Sequence, residues 1–200
     1  MAGARRQIGV FGGSFNPPHL GHLIIASEAQ WLLGLDQVLF VPAGDPPHKL
    51  IAGATAADRV RLTRAAVAGE PRFAVSTLEI DSGLRFTVDT IAVLRDTLPQ
   101  TDLHFIAGSD SLLTLHTWRQ PERLLSLCRF AVALRPHDDE EAVQAAANRW
   151  GAAVGILPSV QVGISSTNVR ERLRAGRPVR FLVPDTVELL ISEKGWYRER

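Results

Sequence analysis

The sequence predicts an α/β protein built on a doubly wound, mostly parallel sheet with helices on both faces and a short C-terminal helical segment. Three observations predict it. Apolar runs of strand length alternate with amphipathic stretches of helix length, polar and glycine-containing segments fall just after several of the apolar runs, and the two final helical patterns each end at a glycine. With 200 residues, 46% hydrophobic and 22% charged, the chain suffices for one domain over 1–200 with an ordinary core.

The strand-like runs are Ile8–Phe11, Val38–Val41, Phe73–Val75, Leu103–Ala107, Phe130–Leu134 and Val154–Leu157. Between them lie helical patterns at Leu20–Leu33, Ala57–Ala68, Val88–Leu98, Pro121–Leu127 and Glu140–Trp150. In sheets of this kind ligands sit beyond the carboxyl ends of the strands, near the point where strand order reverses. The polar loops obey that placement: Gly12–His22 follows the first strand, Pro42–Thr55 the second, Gly108-Ser109-Asp110 the fourth and Arg135-Pro136 the fifth. The acidic run Asp138–Glu141 reads as a solvated helix start, with acids at the favourable dipole end. From Ser166 on, Asn168–Ala175 stops at Gly176 and Asp185–Ser192 near Gly195, two short helices expected to pack on the sheet edge within the same domain.

A net charge of +1 gives no general polyanion-binding or lipid-binding surface, so neither nucleic acid nor membrane is expected as a partner. Anion binding must then come from local placement of charge. Cys128, the only cysteine, cannot form an intrachain disulfide and reads as a buried thiol. No apolar stretch follows Arg5 and Arg6, and no run approaches the ~20 residues that span a bilayer, so a cytoplasmic location is expected. Of 22 basic residues only Lys49 and Lys194 are lysine, which singles Lys49 out in its Pro46-Pro47-His48-Lys49 loop. A homo-oligomer is compatible with all of this.

Gly12-Gly13-Ser14-Phe15-Asn16-Pro17-Pro18-His19-Leu20-Gly21-His22 is the most informative segment. Small residues admit a phosphate close to the backbone, and a helix starting near His19 aims unpaired N–H groups and a positive dipole end at the same anion. His19 and His22, three apart, add two imidazole donors. The plain alternatives are a glycine turn or a metal half-site, but no further His, Cys or carboxylate lies nearby at ligand spacing. The segment is neither a dinucleotide fingerprint nor a P-loop. A second segment, Ile164-Ser165-Ser166-Thr167-Asn168-Val169-Arg170, places hydroxyls at a helix start with Arg170 one turn on, either as an ordinary cap or as a second anion site.

The first segment resembles the GxFxPxHxGH signature of the nucleotidylyltransferases, and the second resembles their ISxTxxR signature. The wording Gly-Gly-Ser-Phe-Asn-Pro, with Pro46–Lys49, Leu78–Leu94, Phe105–Leu112 plus Trp118, Arg135-Pro136 and the final Val183-Pro184…Gly195-Trp196-Tyr197, is most similar to bacterial nicotinate-nucleotide adenylyltransferases, from Ile8 to about Tyr197. The resemblance implies a Rossmann-like fold and transfer of the adenylyl group of ATP to nicotinate mononucleotide, with Mg²⁺ carried on the ATP phosphates. Nicotinamide mononucleotide, or either substrate, is the alternative acceptor, and a non-catalytic nucleotide-binding module the remote one.

On the same resemblance His19, His22, Lys49 and Arg170 are the catalytic candidates. ATP would be held by Gly12, Gly13, Ser14, Phe15, His22, Gly108, Asp110, Ser165, Ser166, Thr167 and Arg170. The mononucleotide would meet Asn16, Lys49, Thr87, Trp118 and Arg135, with Trp118 under the pyridine ring and Thr87 at a helix start near the carboxylate. Thr87 and Asp89 read equally as plain helix caps. Two departures stand out: Phe86 replaces the family tyrosine, and His137 replaces the glycine of an Arg-Pro-Gly turn, which leaves the shape of that turn open.

Overall fold

The computed structural model describes residues 5–44, 53–158 and 160–197, and within them six strands form one parallel sheet. The strands are β1 (Arg6–Gly13), β2 (Gln37–Pro42), β3 (Phe73–Val75), β4 (Thr101–Gly108), β5 (Arg129–Ala133) and β6 (Val154–Leu157), ordered β3-β2-β1-β4-β5-β6. Every ladder is parallel, and the order reverses between β1 and β4. Phe11 is level with Ile106 and Gly108 with Ala133, so Gly13, Gly108 and Arg135 leave the sheet along one edge. The loops that follow β1, β4 and β5 therefore meet at the switch point.

The helices are α1 (Leu20–Leu32), α2 (Ala56–Val67), α3 (Leu78–Asp81), α4 (Thr87–Thr97), α5 (Ser109–Leu113), α6 (Pro121–Leu127), α7 (Glu140–Trp150), α8 (Ser166–Arg174) and α9 (Asp185–Lys194). Each long one falls within two residues of the pattern that predicts it. The single-turn α3, the five-residue α5 and the 3₁₀ segments Leu115–Thr117 and Gly151–Ala153 have no sequence expectation, being too short to develop a periodicity. Asp139, as N-cap of α7, accepts from the Ala142 N–H, in line with the acidic helix start.

Alternation along the strands divides the core. Val10, Phe105, Phe130 and Val132 point to the face covered by α4, α6 and α7, while Phe11, Phe40, Ile106 and Leu157 point to the other, against Ala26 and Ala29 of α1. Burying side chains of that size contributes roughly 1.5–3 kcal/mol each. A third cluster joins Leu62 and Ala66 of α2 to Val169 and Leu173 of α8, Val187 and Ile191 of α9, and Tyr197. The C-terminal helices thus pack on α2, correcting the expectation that they lie directly on the sheet edge. The reason is in α2: it buries Leu62 and Ala66 away from the sheet, offering apolar surface to a further layer.

Pro46, Pro47, His48 and Lys49 lie outside the described residues. Among the described residues no helix is long and apolar enough to cross a membrane.

Candidate active site

The turn after β1 is shaped by aromatic rings. A Cβ on Gly12 would stand 3.2 Å from a ring carbon of Phe105, and one on Gly13 would stand 3.1 Å from Phe15. The glycine pair therefore seats rings on both faces of the sheet edge, a demand the phosphate reading of the sequence did not include. Phe15 is 1% exposed and holds φ +45°, a left-handed conformation unusual for a bulky residue and a strain that the surrounding packing must over-determine. Its ring packs on Phe11, Phe40 and His22.

Three side chains from distant parts of the chain hold the carbonyls of this turn. Arg59 Nη1 donates to Ser14 O at 2.8 Å, Arg170 Nη1 to Asn16 O at 2.8 Å, and Ser166 Oγ to Pro17 O at 2.8 Å. Arg59 is fully buried, and its Nη2 also donates to Ala43 O at 2.7 Å. Hydrogen bonds from a charged donor contribute roughly 1.5–3 kcal/mol, so the turn is pinned from α2 and α8 at once.

His19 is the N-cap of α1, in extended conformation. Its backbone N–H donates to Nδ1 of His22 at 3.1 Å, which leaves Nε2 of a neutral His22 as the nitrogen that carries the proton. The two imidazoles stack with centroids 3.7 Å apart and planes 27° apart. Gly21 permits this arrangement, since a Cβ there would press on the His19 ring at 3.0 Å from Nδ1.

Burial, reinforced by the Arg135 guanidinium, lowers the His19 pKa to about 4. Burial, then His19, then Arg135, also hold His22 well below its ordinary value. Both rings are therefore uncharged at neutral pH, each with one N–H. His19 Nδ1 is buried at the helix start, where its ring faces the His22 backbone N–H as the second half of a capping box.

The second helix start lies beside the first. Ser165 caps α8 by accepting from the Asn168 N–H at 3.1 Å, and Thr167 Oγ1 accepts from Arg170 Nη2 at 3.0 Å. Arg170 thus spends donors on the Asn16 carbonyl and on Thr167, and the first of these links residues 154 positions apart. The cap reading of this segment therefore holds.

At the ends of β4 and β5, Asp110 Oδ1 pairs with Arg135 Nη2 at 2.9 Å. The pair folds over Gly108, where a Cβ would meet Asp110 Oδ1 at 2.7 Å and Arg135 Nε at 3.0 Å. His137 keeps the shape of the turn by taking φ +71°, the left-handed conformation a glycine would adopt freely. The Arg135 N–H donates to Asp138 Oδ2 at 2.6 Å and helps hold it there. Arg135, assigned from the sequence to the mononucleotide, stands close enough to both imidazoles to act on their charge.

The start of α4 is more open. Thr87 is its first residue and Phe86 its N-cap, with no side-chain capping bond, so the reading of Thr87 and Asp89 as caps is corrected. Phe86 is already extended at φ −122° and lets Thr87 enter the helix directly. Its exposed ring carries the Arg119 guanidinium at 4.6 Å from the centroid. Trp118 is half-buried and meets Phe105 and Phe130 edge to face at 6.1 and 6.0 Å. Nearby, Glu79 accepts from Thr90 Oγ1 at 2.8 Å while burial pushes its pKa up.

Arg59, Glu79, Arg119 and the Tyr197 hydroxyl are site or support groups that sequence reasoning did not assign. Arg59 is one of many arginines on an amphipathic helix and carries no local signal. Arg119, next to Trp118, was findable from its neighbour. Among the described residues no group of three or more His, Cys, Asp or Glu is placed to hold a metal ion.

A parallel sheet with two helix N-termini and two imidazoles converging at its switch point defines a nucleotidyltransferase. The cytidylyltransferase-like family model matches residues 10–172. A Thermus thermophilus protein named "Probable nicotinate-nucleotide adenylyltransferase" is 45% identical, over 96% of this chain and 100% of its own. A Synechococcus protein of the same name is 42% identical, over 96% and 95%. The chain belongs to the cytidylyltransferase-like family and, within it, to the nicotinate-nucleotide adenylyltransferases. A Plasmodium falciparum nicotinic acid mononucleotide adenylyltransferase complexed with NaAD shares the fold, with TM-score 0.79 at 17% identity over 96% of this chain and 97% of that one.

Proposed function

We propose that this site transfers the adenylyl group of ATP to nicotinate mononucleotide, giving nicotinate adenine dinucleotide and pyrophosphate, a step of NAD biosynthesis. The observation that supports the reading is the joining of the two helix starts: Arg170 and Ser166 hold the Asn16 and Pro17 carbonyls, so the segments that open α1 and α8 stand side by side. The 5′-phosphate of the mononucleotide is already ionised at neutral pH. It attacks the α-phosphorus in line, the bond from the α-phosphorus to the β-phosphate bridging oxygen breaks, and pyrophosphate leaves with that electron pair.

No protein base or covalent intermediate is required, and catalysis rests on positioning and on neutralising charge. His22 Nε2–H and His19 donate to phosphoryl oxygens, Arg170 faces the polyphosphate, and Lys49 adds a further positive charge. Mg²⁺ arrives with ATP as part of the substrate. Ser165, Thr167 and the Gly12–Phe15 backbone complete the phosphate cradle, and Asp110 takes the ribose of ATP. Trp118 and Thr87 receive the pyridine ring and its carboxylate.

The acid is favoured over the amide because α4 turns its N-terminus toward this region and Arg119 lies over Phe86 at its first turn, two positive influences on one carboxylate. The reading treats residues 1–200 as one functional unit, with the α8 and α9 layer contributing Arg170. A cytoplasmic setting goes with it, as the single unpaired cysteine suits a reducing compartment. The test is pyrophosphate release from ATP and Mg²⁺ with each mononucleotide. Release with nicotinate mononucleotide at higher kcat/KM than with the amide is expected; no release with either overturns the reading.

A further inference from the structure

Tyr197 stands near the end of the described chain, yet its ring is only 5% exposed. It lies in the cluster formed by α2, α8 and α9, and its hydroxyl donates to Asn16 Oδ1 at 2.7 Å. Phenylalanine would fill the same apolar volume. A phenol taken out of water is retained at a cost unless its oxygen is used.

Two backbone features show that the ring is held where the oxygen is needed. Tyr197 itself takes φ +65°, a left-handed conformation that a bulky aromatic residue adopts only under constraint. Gly53, at φ +108°, lies against the ring, and a Cβ there would clash with its Cδ1 and Cε1. Burial raises the phenol pKa, so the hydroxyl stays protonated and remains a donor.

The recipient is the residue at the centre of the phosphate turn. Asn16 has its main-chain oxygen fixed by Arg170 and its side-chain oxygen fixed by Tyr197, so the carboxamide has one orientation, with its NH₂ on the side away from the phenol. Asn16 lies three residues before His19, and its neighbours Phe15 and Pro17 are held by ring packing and by Ser166. A rotation of the Asn16 side chain would release one of these restraints and move the start of α1 with its imidazoles.

We propose that Tyr197 is a positioning residue for adenylyl transfer, fixing the Asn16 amide and through it the turn that presents His19 and His22. The proposal rests on the adenylyl-transfer reading, and the wild-type pyrophosphate assay run alongside separates a failure of that reading from a failure of this one. The experiment compares kcat, KM for ATP and the thermal midpoint in Tyr197→Phe, Asn16→Ala and the double variant, all assayed well below their melting temperatures.

Loss of one buried hydrogen bond at a preorganised turn should lower kcat of Tyr197→Phe about 10-fold, with KM for ATP changed less than about 3-fold. If the tyrosine acts through Asn16, the double variant is no slower than Asn16→Ala alone. A Tyr197→Phe enzyme with wild-type kcat, whatever its melting temperature, overturns the proposal, and so do losses that multiply in the double variant.

Discussion

The two ends of the site are built differently. In the turn from Gly13 to His22, the carbonyls of Ser14, Asn16 and Pro17 are each bound by a side chain from α2 or α8, and the two histidines are stacked and desolvated. At the start of α4, Phe86 and Arg119 are exposed and held mainly by each other, while Trp118 shows only edges to the core. On the proposed reading the rigid end is where charge changes during phosphoryl transfer, and fixed donors there lose nothing to reorganisation. The open end need only choose and hold a flat ring. Damage to the first should appear in kcat, and damage to the second in KM and in choice of substrate.

The largest effect is expected at the rigid end. His22→Ala removes a preorganised donor and should lower kcat by at least ~10²-fold while the protein remains folded by circular dichroism. Turnover within a few-fold of wild type would show that the stacked pair is structural only.

The same pair gives the rigid end a pH signature. His19 titrates near 4 in the folded chain and near 6.5 when unfolded, and His22 is displaced in the same direction. Between those values the unfolded chain holds more protons, so stability is greatest above pH 6.5 and falls as pH drops toward 4. His19 alone accounts for a change of about 3 kcal/mol. Urea unfolding at pH 7.5 and pH 5 should show the decline, and His19→Asn should flatten it. MgATP, whose charge favours the imidazolium, should flatten it as well. Equal slopes in wild type and His19→Asn would detach the decline from this pair.

Arg170 holds the turn and, on the proposed reading, also serves the phosphates, so its loss should register in two assays. Arg170→Ala removes the bonds to Asn16 O and Thr167 Oγ1 and should lower stability by about 1.5–3 kcal/mol, together with a fall in kcat of about 10-fold or more. Arg170→Lys keeps the charge but not the fork, and should recover less than half of the stability loss. Full recovery by lysine would reduce the residue to a point charge.

The rigid end was also the part most legible from sequence, for a physical reason. Glycines, adjacent prolines and spaced histidines are needed locally, in order, and leave a signature; the alternation of apolar runs gave the sheet in the same way. What holds the turn was illegible, because Arg59 and Tyr197 reach it from 45 and 181 positions away: nothing around Arg59 marks it, and the Gly195-Trp196-Tyr197 pattern carries a resemblance but no contact. The turn after β5 illustrates a different limit. His137 in place of glycine reads as a change of shape, yet the residue takes φ +71° and the turn survives, because Asp138 accepts the Arg135 N–H. Lone α3 and α5 escaped because a turn or two of helix has no period to detect.

The smallest effects belong to the open end and bear most on choice of acceptor. Trp118→Ala should raise KM for nicotinate mononucleotide about 10-fold, from loss of ring stacking, and leave KM for ATP nearly unchanged; an equal rise for ATP would place the indole elsewhere. Arg119→Gln is the finer cut. The guanidinium 4.6 Å above Phe86 adds positive charge beside the α4 N-terminus, and an exposed charge–charge interaction with a carboxylate is worth up to about 1 kcal/mol. Removing it should narrow the preference for the acid over the amide about 2- to 5-fold, chiefly by raising KM for the acid, with kcat unchanged. An unchanged preference would assign discrimination to the α4 backbone alone, and Phe86 would then be an exposed ring whose cation has no part in catalysis.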